Sequence, residues 1–284
     1  MLRNLVRLMR PKHYIKNGLI AVPLLFSGQL LQSGHITKVV IGIVLFSLIS
    51  SIVYIFNDIR DVKKDRKHPK KKYRPIASGA VTVQQAYILA AAVAIIVILG
   101  AVLYLDVTSV VFLAVYFALN IAYSCGLKNI PIIDVAILAS GFILRVLFGA
   151  SVVGVAVSDW LYLTILAGAF YASLGKRRNE IMVNGTASRK VNESYNLNFL
   201  DKTMYVFLAL VLVFYSLWAI NPTGGGRHSL VWTIPVVMLV FLTYSLNVEK
   251  KGSVGDPVDV ILGDKTLVLL SLVYMALTTG LLYL

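Results

Sequence analysis

Ile52-Val53-Tyr54-Ile55-Phe56-Asn57-Asp58-Ile59-Arg60-Asp61-Val62-Lys63-Lys64-Asp65 is an apolar run that breaks abruptly into charge. Upstream, 37–56 is apolar enough and long enough to cross a bilayer core as a helix. Downstream, acids and bases crowd together. The stretch therefore reads as the end of a membrane span emptying into a polar, chemically equipped segment.

The rest of the chain repeats the first half of that pattern. Of 284 residues, 58% are hydrophobic and only 14% are charged. A soluble domain carries roughly 25% charged residues, so the apolar surplus exceeds what one soluble core needs. Apolar runs near 17–33, 37–56, 83–104, 107–125, 131–153, 158–175, 203–221, 229–247 and 265–283 predict an all-α polytopic membrane protein with nine transmembrane helices. Asp106-Val107-Thr108 offers a polar break and a helix cap between the third and fourth of these spans. The chain is expected to be a single transmembrane domain over 1–284, with a basic helix at 1–16 and long loops at 57–82 and 176–202.

Charge orients it. All of the 27 Lys and Arg except Lys38, Arg145 and Arg227 fall on one side of a nine-span layout. The positive-inside rule makes that side cytoplasmic, N-terminus included. A multi-pass protein of the cell membrane is the expectation. Leu2, Leu5, Val6 and Met9 share one side of a short helix from which Arg3, Arg7 and Arg10 diverge, which suits an interfacial helix rather than a cleavable signal.

Several functions lose support. The single cysteine, Cys125, forms no intrachain disulfide and reads as a small apolar filler. His13, His35, His68 and His228 show no ligand spacing, and no phosphate-binding glycine loop or dinucleotide fingerprint is present. The net charge of +14 is accounted for by topology, so no nucleic-acid partner is implied.

All 13 acids except Asp106 and Asp159 lie on the cytoplasmic side or at its edge, which topology does not ask for. Asn57, Asp61 and Asp65 are four apart and form one helical stripe, with Asp58 beside it. Like charges so placed repel, and a cation relieves them. Mg²⁺ suits such a set, because it takes one or two carboxylates plus phosphate oxygens. The stripe therefore predicts a metal–diphosphate site. The run Arg66, Lys67, His68, Lys70, Lys71, Lys72 and Arg74 follows, then Pro75 and Gly79; much of it fits a positive-inside loop near anionic headgroups.

Two further clusters carry polar groups. Tyr123, Ser124 and Lys128 precede Pro131 and Asp134, and Arg145 lies about three turns deeper on the face of Asp134. An arginine at membrane depth faces a partner or a polar cavity. Gly175-Lys176-Arg177-Arg178-Asn179-Glu180 mixes phosphate-binding cations with one carboxylate. Gly255-Asp256-Pro257, with Asp259 and Asp264, reads chiefly as a turn and a helix cap.

Asn57-Asp58-x-x-Asp61-x-x-x-Asp65 followed by Arg74-Pro75 and Gly79, together with Tyr123-Ser124 and Lys128, resembles the UbiA superfamily of intramembrane prenyltransferases over essentially the whole chain. That resemblance implies nine helices around a central cavity open to the cytoplasmic face. The family's second aspartate motif is replaced here by Lys176 to Glu180. This departure, with Arg10-Pro11-Lys12, Lys16-Asn17 and Gly255-Asp256-Pro257, is similar to the branch that moves 5-phosphoribose from 5-phosphoribosyl 1-diphosphate to a decaprenyl-type polyprenyl phosphate for cell-envelope glycolipid precursors.

The resemblance implies the following roles. Asn57, Asp58, Asp61 and Asp65 hold Mg²⁺ and the donor; Lys16, Lys72, Arg74 and Lys128 contact phosphates. Tyr123 and Asp134 position ribose or acceptor, Asp58, Asp61 and Asp134 being the catalytic candidates. Arg145, Lys176 and Arg177 bind an anionic group, oriented by Glu180. Two alternatives stay open: prenyl transfer to an aromatic or quinone-precursor acceptor, and a non-enzymatic lipid transporter. A homo-oligomer stays open too.

Overall fold

The structure, a computed structural model, describes residues 1–68, 71–186, 189–220, 228–250 and 256–283. Lys70, Arg227 and Gly255, named in the sequence reading, lie outside the described residues. Among the described residues every regular element is helical. The α-helices are α1 (Leu2–Met9), α2 (Val22–Phe26), α3 (His35–Asp65), α4 (Val83–Tyr104), α5 (Val107–Cys125), α6 (Ile133–Val153), α7 (Asp159–Asn184), α8 (Leu197–Ile220), α9 (Ile234–Glu249), α10 (Pro257–Gly263) and α11 (Lys265–Tyr283).

Among the described residues, seven helical stretches are long and apolar enough to cross a membrane: α3, α4, α5, α6, α8, Leu230–Glu249 and α11. The segment expected as the first span, 17–33, instead holds the end of a 3₁₀ helix over Pro11–Ala21, the short α2 and a run of turns. Pro23 lacks the N–H that a regular α-helix would need at that point, and Gly18 lowers helix propensity just before it. The sixth expected span, α7, is a single helix but carries a charged final third.

Helix ends follow local chemistry. Thr82 closes a reciprocal capping box with Gln85 at the start of α4. Asp106 caps α5, accepting from the Thr108 and Ser109 N–H groups, as the polar break suggests. Ser158 caps α7 through the Leu161 N–H. Two helices overrun their expected ends: α3 continues through Asp65, and α7 through Glu180 to Asn184. Hydropathy marks where bilayer gives way to polar surroundings, whereas backbone hydrogen bonding has no reason to stop there.

The chain forms two compact units. The first comprises Met1–Val22, Gln32–Leu127 and Leu144–Gly154; the second comprises Pro23–Leu31, Lys128–Ile143 and Val155–Leu284. In the first, Phe46 packs on Tyr116 and Phe148 with ring centroids 4.5 and 5.3 Å apart. The 3₁₀ backbone presses on Gly149 so closely that a Cβ there would lie 2.0 Å from the Ile20 carbonyl oxygen. Small residues permit this kind of backbone approach in membrane packing. A smaller core of Leu8, Ile55, Ile76, Val81 and Ala86 gathers α1, the C-terminal half of α3, the turn before α4 and the start of α4. In the second unit, one core surrounds Tyr171, Leu200, Met204, Tyr244 and Val248, and another surrounds Trp218, Leu230 and Leu282.

Candidate functional site

The acidic motif rides the last two turns of α3, so its spacing is helical as expected. The burial is uneven. Asp58 and Asp65, seven apart and hence two turns along one face, are buried, while Asn57 and Asp61 are half-buried. Asn57 turns aside and accepts from the Ser124 hydroxyl at 3.2 Å.

Two arginines meet the buried carboxylates. Arg74 Nη1 donates to Asp58 Oδ1 at 3.0 Å and to Asp65 Oδ2 at 2.7 Å. Arg10 Nη2 donates to the same Asp58 Oδ1 at 2.5 Å. The arginines keep 20% and 24% of their side chains exposed, for Arg10 and Arg74 respectively, against 2% for Asp58. Local sequence sets both of them. Pro75 and the left-handed Gly79 (φ 79°) shape the turn after Arg74, closed by the Val81 N–H to the Pro75 carbonyl at 3.0 Å. Ile76 and Val81 sink into the small core beneath it. Arg10 ends α1 in the left-handed region at φ 56°, uncommon for a residue with a side chain. Its guanidinium also lies 4.9 Å above the Tyr54 ring, a second restraint on that backbone.

These residues suit a divalent cation in donor chemistry, since carboxylate and amide oxygens are hard ligands. Among the described residues no three carboxylates, histidines or cysteines already converge on one point. A cation nonetheless stands between Asp58 and Asp65: it is one nitrogen of Arg74. Mg²⁺ is commonly held by one or two protein carboxylates, the rest being phosphate and water. The pair fits it if Arg74 moves aside.

Deeper in the first unit, Arg145 is buried and its Nε donates to Asn17 Oδ1 at 2.7 Å. Its guanidinium carbon lies 5.1 Å from the centroids of both Phe46 and Tyr116. Asn17 in turn donates to Ser47 at 2.8 Å, and Ser50 and Tyr116 share a hydrogen bond of 3.1 Å. Cys125 is exposed rather than an interior filler: it sits at the end of α5, where Arg60 Nη1 donates to its sulfur at 2.9 Å. Lys16 and Tyr123 are half-buried, and Lys72 is exposed with its ammonium 5.1 Å from the Tyr73 ring.

The second unit carries its own charged cluster. Arg177, 1% exposed, donates through Nη2 to Asp134, which is fully buried. Through Nη1 it donates to Glu180 Oε2 at 2.6 Å and Asn192 Oδ1 at 3.2 Å. Glu180 thus pairs with Arg177. The guanidinium is turned into the protein, however, so the expected anion is here the Asp134 carboxylate. Arg189 reaches the other oxygen of Glu180 at 2.7 Å. Lys176 points elsewhere, 3.5 Å from Asp256. Asp256 caps α10 and Asp264 accepts from the Leu267 N–H, so these acids act as caps. Lys128 is half-buried in this unit.

Sequence reasoning passed over Tyr195. Its phenol donates to Asp134 Oδ1 at 2.6 Å and accepts the Ile132 N–H at 2.6 Å. Burial, followed by donation to Asp134, pushes that phenol up to about 12, so it stays a donor. Ile132 is β-branched yet left-handed at φ 68°, a strained conformation that this hydrogen bond holds. No local signal marks Tyr195, because its partner is 61 residues away. Arg10 was legible only as part of a motif; its partner is 48 residues away.

Comparison with known proteins places this geometry. The model of the "UbiA prenyltransferase family" matches residues 20–258. The decaprenyl-phosphate phosphoribosyltransferase of Mycobacterium tuberculosis H37Rv is 33% identical over 279 residues, 95% of this chain and 91% of that protein. The protein of the same name from Corynebacterium glutamicum is 33% identical over 281 residues, 95% of this chain and 84% of its own length. Among solved structures, a UbiA homologue from Archaeoglobus fulgidus bound to GPP and Mg²⁺ superposes with a TM-score of 0.75 at 17% identity, covering 99% of this chain and 100% of that one.

Proposed function

The chain belongs to the UbiA prenyltransferase family, a family of membrane transferases, and from that premise we infer that it transfers 5-phosphoribose from 5-phosphoribosyl 1-diphosphate to a membrane polyprenyl phosphate, releasing diphosphate. One observation carries the reading: nearly full-length identity of 33% to relatives bearing that activity in their names. The residues support it. Where a prenyltransferase would bring a second pair of aspartates, this chain brings Lys176, 38% exposed, beside Arg177. A donor with a 5-phosphate and a diphosphate, meeting a lipid phosphate, calls for more cations and fewer carboxylates.

In this reading Asp58, Asp61 and Asp65, with Asn57 beside them, hold Mg²⁺ and the donor diphosphate. The metal, when bound, stabilises the charge that gathers on the departing diphosphate. Arg74, Lys16, Lys72 and Lys128 bind phosphate oxygens, and Tyr123 faces the sugar or acceptor. Arg145 and Lys176 serve anionic groups. Asp134 is oriented by Arg177 and Tyr195, with Glu180 fixing Arg177. As the anomeric bond breaks, positive charge develops on the ribose carbon and negative charge on the departing diphosphate, and the α3 site serves the latter. The acceptor phosphate is already an anion, so no strong base is needed. The N-terminus and these residues face the cytoplasm, where the soluble donor is found. The reading keeps nine spans: the seven helices long and apolar enough to cross a membrane, α7, and the expected first span near 17–33.

Purified protein in detergent, given polyprenyl phosphate and Mg²⁺, is expected to release diphosphate from 5-phosphoribosyl 1-diphosphate and none from a prenyl diphosphate offered with an aromatic acceptor. The reverse preference overturns the reading in favour of prenyl transfer. Release with neither donor leaves a lipid carrier.

A further inference from the structure

We propose that Arg10 and Arg74 are exchangeable counter-ions which make metal binding at Asp58 and Asp65 depend on a diphosphate arriving with it. The inference rests on the metal–diphosphate reading of α3 and adds what the two arginines do there. Arg74 Nη1 lies 3.0 and 2.7 Å from the two carboxylates, and Arg10 Nη2 lies 2.5 Å from Asp58. Two positive charges thus neutralise two negative ones, and the space between the carboxylates is taken by a nitrogen.

A divalent cation arriving alone has to expel Arg74 from both carboxylates. It leaves both guanidinium groups deprived of the carboxylates they face, next to a further positive charge. A diphosphate changes the outcome. Each arginine passes from a carboxylate oxygen to a phosphate oxygen, a partner its planar fork suits at least as well. The number of charge-assisted contacts is then preserved, and the carboxylates become available to the metal.

Both arginines are built for this exchange. They sit on separate elements, the end of α1 and the turn at 74–81, whose backbones are anchored without the ion pairs. Arg10 keeps the Tyr54 ring beneath it, and the Arg74 turn keeps Pro75, Gly79 and the buried Ile76 and Val81. Their head groups are partly exposed, so the swap does not cross a dry interior. The same exchange in reverse helps product leave: as diphosphate departs, the arginines return to Asp58 and Asp65 and displace the metal. Coupling between metal and anion is reciprocal by linkage.

Mn²⁺ is the probe, measured as bound ion at fixed free Mn²⁺ by equilibrium dialysis of the detergent-solubilised full chain. Inorganic pyrophosphate is the anion. In the unmodified protein, pyrophosphate is expected to tighten Mn²⁺ by on the order of tenfold or more. Arg74→Gln is expected to tighten Mn²⁺ alone by about tenfold and to shrink the pyrophosphate effect, with Arg10→Gln shifting both in the same direction by less. Arg60→Gln is the control for mere loss of a nearby charge, since Arg60 is on α3 but donates to Cys125. It is expected to change Mn²⁺ affinity by less than about threefold, as a partly screened charge does.

Mn²⁺ binding that ignores pyrophosphate in the unmodified protein overturns the exchange, and this measurement needs no variant to fold. So does an Arg74→Gln protein that binds Mn²⁺ alone no better than Arg60→Gln. Expected Mn²⁺ coupling in a protein that transfers no phosphoribose leaves the exchange standing and removes the function. Phosphoribose transfer without that coupling does the opposite.

Discussion

Arg74 and Arg177 each bridge two carboxylates, in opposite surroundings. Arg74 holds Asp58 and Asp65 at a partly open edge of the first unit, with 24% of its side chain exposed. Arg177 holds Asp134 and Glu180 in the second unit with 1% exposed, and Asn192, Arg189 and Tyr195 complete the set. Each cluster adjoins a strained left-handed residue, Arg10 in one and Ile132 in the other. Burial makes the difference. A buried ion pair carries a desolvation penalty that only full hydrogen bonding offsets, and removing one partner strands a charge. A partly exposed pair can trade partners with a ligand at little cost. The first cluster is therefore suited to binding and release, the second to holding one group in one place.

The contrast predicts a graded series of effects. Arg177→Ala strands Asp134 in a dry site and is expected to cost about 3–5 kcal/mol of stability, read as a fall in the thermal midpoint in detergent. A loss below about 1 kcal/mol would mean the second cluster is as exchangeable as the first. Asp58→Asn is expected to leave the fold intact but slow diphosphate release by about a hundredfold, or about 2.7 kcal/mol of barrier, with weaker dependence on Mg²⁺.

Tyr195→Phe leaves Asp134 and the Ile132 N–H each short of a partner and is expected to cost about 1–3 kcal/mol. This loss has a pH signature. The folded phenol titrates at about 12, above its ordinary value of 10.0, so its contribution is complete below pH 10 and disappears as pH rises toward 12. The gap between wild type and Tyr195→Phe should narrow over that window; a constant gap contradicts the assigned hydrogen bond. The smallest effect is Arg74→Gln on stability, below that of Arg177→Ala, because the arginine end is 24% exposed and Arg10 still faces Asp58. The Arg177→Ala cost should not respond to salt.

Much of this was legible in the sequence, for identifiable reasons. The helices over 83–104, 107–125 and 265–283 match expectation residue for residue, because Thr82, Asp106 and Asp264 supply polar breaks that also bind the next helix's free N–H groups. The four-residue spacing around Asp61 was legible because α3 is helical there. The first span was not, since apolar content says nothing of the 3₁₀ winding that Pro11, Gly18 and Pro23 accompany. Nor were the charged ends of α3 and α7, where hydropathy stops and helix does not. The pairing of Asp134 with Arg177 and not with Arg145 was invisible, although spacing placed Arg145 on the face of Asp134. Arg145 instead meets Asn17 and Tyr116, contacts set by tertiary packing.

The central claim is the identity of the transferred group. The direct test is to incubate the protein in detergent with 5-phosphoribosyl 1-diphosphate labelled in the ribose, polyprenyl phosphate and Mg²⁺, and to follow label into the lipid fraction. The account predicts a labelled polyprenyl-phosphate phosphoribose that fails to form when Asp58 is replaced by Asn. An unlabelled lipid fraction, with a prenyl group transferred from prenyl diphosphate to an aromatic acceptor by the same preparation, would contradict it.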